Sequence, residues 1–135
     1  MVATFDQIEA ALQAIWDSGW TGTPNVSNSN AVFDPTSLPA GSYWVETETS
    51  SGHQQVLSLD DLYWTMPTLS VTVHIPLDIG KPFATQVLDM AAALYRGVQI
   101  TAGTSTMRAY SFSKPMPVPK DGWYSLSMQI SFKLF

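Results

Sequence analysis

The chain contains no cysteine, which excludes disulfides, thiolate metal sites and thiol catalysis but leaves the redox compartment open. No Lys or Arg occurs before Lys81. Charged residues of either sign make up 13% of the chain, against roughly 25% in a typical soluble domain. No apolar run approaches the roughly 18 residues that a membrane span requires. The first residues, Met1-Val-Ala-Thr-Phe-Asp, lack the basic region and apolar core of a secretory signal, so the expectation is a soluble protein. Glycine patterns for a nucleophile elbow, a phosphate loop or a dinucleotide site are also missing, and no cofactor is expected. A pI near 4.6 argues against a dedicated nucleic-acid binder, which usually shows a basic footprint.

What is present is partitioned by charge. Nine acidic residues and no basic one precede Lys81; from there on, six basic residues face only Asp89 and Asp121, and the whole chain carries −5. Opposite signs on two parts of one molecule suit head-to-tail contact between copies, and contacts of that kind build rings or filaments. The competing reading is that both parts interleave in one fold and the asymmetry averages out over the surface. On charge alone this second reading is the stronger, because net charge speaks to association and not to fold. Few charges beside five Trp and five Tyr suggest a surface that is partly covered in use.

At 135 residues, 45% of them hydrophobic, the chain has the size and composition of one domain with one core. Thr4-Phe-Asp-Gln7 has the form of a capping box, and Phe5, Ile8, Leu12, Ile15 and Trp16 recur at helical spacing up to a stop at Gly19. From about 21 to 42 the chain is rich in Gly, Pro, Asn and Ser and reads as a long loop, with Ala31-Val-Phe33 as a brief strand candidate. Tyr43 to Thr49 alternates as a strand that ends at Ser50-Ser-Gly52, with His53 to Leu59 as its return partner. Leu69, Val71, Val73 and Ile75 mark a half-buried strand. Pro82 opens a second helix whose apolar face is Phe83, Val87, Met90, Ala91, Leu94 and Tyr95, closed by Gly97. A variable loop or hairpin spans about 101 to 122 and includes a strand from Met107 to Phe112. Pro115, Pro117 and Pro119 then hold an extended piece away from the middle of any sheet. The last strand alternates Tyr124, Leu126, Met128, Ile130, Phe132 and Leu134 against Ser125, Ser127, Gln129, Ser131 and Lys133. This order predicts an α+β fold, a single mostly antiparallel β-sheet with both helices packed on one face.

No catalytic or metal-binding constellation is legible. His53 and His74 are the only histidines, and His74 falls on the polar side of its strand, as a solvated or interface residue would. Asp60-Asp61 pair only by adjacency and suit a turn or a helix cap. The serines have no histidine at a telling distance. Arg108, Lys114 and Lys120, interleaved with Tyr110, Phe112 and Trp123, could serve single-strand binding, but the net charge and the prolines oppose it.

The succession of elements resembles the tail terminator (tail completion) proteins of long-tailed bacteriophages. The likeness is carried by the helix from Phe5 to Trp16, the loop ending Phe33-Asp-Pro35 and the strand Gly41-Ser-Tyr-Trp-Val45. It continues through the strand from Leu69 to Pro76, the second helix ending Leu94-Tyr-Arg-Gly97, and the closing Gly122-Trp-Tyr with its alternating strand. The stretch from Thr21 to Asn30 has no obvious counterpart. The resemblance implies an α+β protomer in a ring, usually of six, on the head-proximal end of the tail tube. There it would stop tube growth and dock the head-side connector, with DNA passing through the lumen. It further implies a virion protein assembled in the host cytoplasm, with no catalytic residues to carry over. A lumen without clustered Lys and Arg would let phosphate slide, which the acidic excess favours. Another neck or head-completion component shares these physics; a small ligand-binding α+β domain, or an enzyme with an unrecognised site, is the alternative of a different class. For contacts between copies, the candidates are acidic Glu46 and Glu48 on a strand face and basic Arg108, Lys114 and Lys120 on an opposing loop region.

Overall fold

Twelve residues of alternating apolar and polar side chains at the C-terminus build one long strand, and the other elements are arranged on its two edges and one of its faces. The computed structural model describes residues 5–20, 26–28, 42–50, 53–56, 62–65, 67–77, 80–103 and 105–134, with the backbone alone at 26–28, 53–56, 62–65 and 134. In chain order the elements are α1 (Phe5–Gly19), β1 (Val26–Asn28), β2 (Trp44–Ser50), β3 (His53–Val56), β4 (Leu62–Thr65), β5 (Thr68–Pro76), α2 (Lys81–Tyr95), β6 (Gln99–Ala102), β7 (Ser105–Phe112), β8 (Met116–Val118) and β9 (Trp123–Leu134). The main sheet has the order β1-β2-β5-β9-β7-β6, with β8 also on β9, while β3 and β4 form a separate hairpin. Only β1 runs parallel to its neighbour; the rest of the ladder is antiparallel. Both helices pack against the sheet, as expected of the α+β arrangement.

β9 is paired along both edges. On one side it meets β5 from Pro76↔Trp123 to Thr68↔Ser131. On the other it meets β7 near its end and β8 near its start. Between them Ser113 is clamped to Gln129: the Ser113 N–H donates to the Gln129 carbonyl and the Gln129 N–H donates to Ser113 Oγ, each at 2.9 Å. β7, Ser113 and β8 thus act as one strand with two bulges. The register shifts by a residue between Ala109 and Ser111, leaving Tyr110 half exposed. It shifts again where Lys114 and Pro115 stand opposite the single residue Met128. Such bulges bend a strand and end its usefulness as a template for further pairing, as do lysine and proline. The hairpin closes through a turn in which the Trp123 N–H donates to the Lys120 carbonyl at 3.2 Å, with Gly122 at φ 80, a conformation that side chains disfavour.

The core lies between the sheet and the helices. Ile8, Leu12 and Trp16 of α1 and Ala84, Val87, Leu88, Ala91, Ala92 and Tyr95 of α2 are buried against Val45, Leu69, Val71, Val73, Ile75 and the apolar side of β9. α2 lies over β5 and β9, and α1 lies beside it over β6. Tyr95 ties the helices together: its hydroxyl donates to the Leu12 carbonyl at 2.8 Å, and its ring meets Phe132 edge-on at 5.7 Å. Burial, with Asp17 adding to it, raises the Tyr95 pKa well above the ordinary phenol value, so the hydroxyl stays a donor. Trp16 and Trp20 stack at 4.4 Å where α1 ends. Among the described residues no helix is long and apolar enough to cross a membrane.

Three expectations are corrected. His53–Val56 pairs with Leu62–Thr65 and not with the strand before it, because β2 is already occupied by β5 and β1. The 21–42 stretch contributes a strand, β1, at Val26–Asn28, ahead of the segment expected to pair; Ala31 to Phe33 lie outside the described residues, as does Thr4 of the capping box. Gly19 is the last residue of α1, as expected, though without a positive φ; what it supplies is room, since a Cβ there would stand 2.8 Å from Leu94 Cδ2 on α2. Met90 is exposed, and Leu88 with Ala92 takes its place on the buried stripe. The 101–122 region, read as a loop or hairpin with a strand near Met107 to Phe112, holds the end of β6 and the strands β7 and β8, the last two forming the long bulged partner of β9.

Tyr95→Phe removes one buried hydrogen bond and keeps the ring, so it should lower stability by about 1 kcal/mol. Tyr95→Ala also empties the space between the helices and should cost about 3–5 kcal/mol. Denaturant midpoints of the two variants check this; equal losses would mean the hydroxyl carries the contact and the packing does not.

Candidate functional site

The helices cover one face of the sheet, and the composition of the other face follows from strand register. Directly opposed residues of antiparallel strands point the same way, so the outward residues form rungs. One rung runs Trp44, His74, Ser125, Val118 across β2, β5, β9 and β8. The next runs Glu46, Thr72, Ser127, Met116, with Thr72 Oγ1 donating to Ser127 Oγ at 3.1 Å. Beyond it lie Glu48, Ser70 and Gln129. Among the described residues this face is hydroxyl-rich in the middle, acidic along β2 and apolar along β8.

The first rung is closed in on itself. His74 is 3% exposed although it lies on the polar side of its strand. Its ring stacks on Trp44 at 4.0 Å, Trp44 meets Trp123 edge-on at 6.2 Å, and the Lys120 ammonium lies 5.6 Å from the Trp44 ring. A lysine at that distance from an indole face contributes about 0.5–1 kcal/mol where solvent reaches it. Both imidazole nitrogens are engaged, Nδ1 by Ser125 Oγ and Nε2 by Glu46 Oε1 at 3.1 Å. A carboxylate only accepts, so Nε2 carries the hydrogen, and Nδ1 accepts from the Ser125 hydroxyl. Of the two expectations for His74, solvated or at an interface, the solvated one is overturned by this cover of tryptophan.

A hydroxyl, an imidazole and a carboxylate in series have the polarity of a hydrolytic triad. Their setting does not match. Ser125 is 2% exposed in mid-strand and β9 is paired on both sides of it, so no substrate carbonyl reaches its Oγ. As built, the three residues form a polar clasp joining β2, β5 and β9. Fully satisfied buried networks of this kind rigidify the elements they join.

The residues expected at contacts between copies are distributed as follows. Glu46 is half-buried and bonded to His74; Glu48 is exposed one rung away. Lys120 is exposed and lies over the Trp44–His74 stack, so Glu46 and Lys120 meet around one ring pair within a single protomer and not on opposing regions. Lys114 is exposed in the kink before β8. Arg108 lies three strands from β2, about 14 Å at ordinary strand spacing, and donates to Gln99 Oε1 at 3.2 Å. It directly faces Lys133 across β7 and β9. His53 belongs to β3, where only the backbone is described, and Asp60 and Asp61 lie outside the described residues.

Sequence reasoning missed the clasp because His74 and Ser125 are 51 residues apart and His74 and Glu46 are 28 apart. One signal was available: Trp44 shares the outward side of its strand with Glu46 and Glu48, and an indole there needs a cover.

No protein-family model and no curated protein matches the chain. A solved structure that bears only a numbered designation is similar over 98% of this chain and 96% of its own, with a TM-score of 0.70 at 19% identity. Such a likeness speaks to the fold alone, and it spans the two helices and the sheet together.

Burial holds the His74 pKa below the ordinary imidazole value; Glu46 opposes the shift and Lys120 adds to it. The unfolded chain therefore takes up this proton before the folded chain does. The clasp contributes fully above about pH 6.5, and stability should fall as acidification passes from that value toward the lower folded pKa. Denaturant midpoints at about pH 7.5 and 5.5 should differ more for the native protein than for His74→Gln. Equal differences would mean that the ring titrates as if in water.

Proposed function

We propose that this chain is a structural virion subunit, a ring-forming tail terminator or tail-completion protein. In this reading copies of the chain cap the head-proximal end of a phage tail tube and join it to the head-side connector. DNA passes through the lumen without specific binding, and no cofactor or catalytic step is involved.

The observation that carries the reading is the two-layer build with exposed apolar side chains on the sheet side away from the helices. Among the described residues the helices lie on one side of the sheet, and the other side presents Met116, 66% exposed, and Val118 beside lysines. Elsewhere α1 carries Asp6, Glu9 and Asp17 and no basic residue. Exposed apolar side chains beside lysines on one surface, with carboxylates and no basic residue on another, suit heterologous contact between identical copies. The order of helices and strands along the chain, shared with the resemblance, supports the same assignment. Another neck component would assemble by the same physics at a different level of the particle.

Light scattering of the purified protein should give a mass several times the 14.8 kDa of one chain, near six copies. A stable single copy would favour a small binding domain instead. Assembly should weaken as salt rises, since exposed charges separated by more than about 8 Å are screened at physiological ionic strength. Sedimentation velocity at low and high salt measures this, and a mass independent of salt would make the contact apolar.

A further inference from the structure

The proposed ring leaves open which surfaces meet, and the fold offers one matched pair. The first surface is the outward side of the bulged hairpin. Met116 and Val118 share a face with Ser127 and Ser125, so both side chains point away from the core, exposed at 66% and 40%. Exposed Lys114 and Lys120 stand before and after them. These lysines are six residues apart in a kinked extended segment, hence somewhat under about 20 Å. The prolines and bulges of this edge disfavour an added strand, so its occupant meets side chains and not backbone.

The second surface is the outward ridge of α1. Asp6, Ala10, Gln13 and Asp17 follow at intervals of four, three and four and fall along one line of the helix. Glu9 flanks that line, and Gln13 Nε2 donates to Asp17 Oδ1 at 2.8 Å, which holds the end of the ridge in place. Asp6 and Asp17 are about 16 Å apart along the axis. Carboxylates at the two ends with a small apolar residue between them mirror lysines at two ends with methionine and valine between. α1 lies over β6 on the helical side of the sheet, and the hairpin surface faces the opposite side. One protomer therefore cannot satisfy both surfaces by itself.

We propose that the outward side of β8, bounded by Lys114 and Lys120, receives α1 of a second copy, with Ala10 on Met116 and Val118 and with Asp6 and Asp17 at the lysines. The contact is heterologous and repeats from copy to copy; it rests on the ring reading and specifies how that ring is closed.

Two charge-reversed proteins test it: Asp6→Lys with Asp17→Lys, and Lys114→Glu with Lys120→Glu. Each alone sets like charges against each other and should raise the concentration needed for assembly at least about tenfold. Mixed in equal amounts they restore opposite charges at every contact, and sedimentation velocity should show the native mass returning with alternating copies. Circular dichroism confirms that each is folded. If the lysine double variant fails to fold, Met116→Glu, which leaves Lys120 over Trp44, should weaken assembly by a similar factor. Native-like assembly of either variant alone, or a mixture that stays dissociated, overturns this contact while the ring stands. A native protein that is itself solitary removes the ring, and the contact with it.

Discussion

The fold depends on the pairing of β9 along both edges. Its twelve residues hold β5 on one side and the bulged β7–β8 strand on the other, while Leu126, Met128, Ile130 and Phe132 face the helices. Because side chains alternate, a slip of one residue would turn that apolar row outward and bring Ser125, Ser127 and Gln129 into the core. The register is also held on the open face, where the His74 clasp and the Thr72–Ser127 hydrogen bond fit only this alignment. Core and open face therefore specify the same register, and such agreement between levels favours one native state over its neighbours.

The sheet side away from the helices differs from an ordinary solvated sheet. Its centre is serine and threonine, which neither repel a partner electrostatically nor require much desolvation of charge. Its β8 border carries methionine and valine, and its charges are kept to the margins: glutamates on β2, lysines around β8, and Arg108 opposite Lys133 on β7 and β9. A surface arranged in this way is suited to contact with protein on the far side, which is the use proposed for it.

Much of this was legible in the residues, and the limits have physical causes. Alternation at Leu69 to Ile75 and at Tyr124 to Leu134, and the helical spacing from Phe5 to Trp16, located the elements that build the core, because periodicity is a local property. The partner of β2 was misassigned because Ser50-Ser-Gly52 has turn chemistry and the pairing with β5 is non-local. Met90 and Leu88 exchanged places because both fit an apolar stripe, and only the angle at which α2 meets β5 and β9 decides between them. At the candidate site, Glu46, Lys114 and Lys120 were singled out for charge and His74 was read as a solvated or interface residue, yet Trp44 and Ser125 were not tied to it. Their chemistry exists only once three strands are side by side.

In the proposed ring, identical copies close head to tail around a channel. Electron micrographs of the purified protein at low salt should then show closed annular particles of uniform diameter with a central hole. Fields of single small globules at high protein concentration would contradict it.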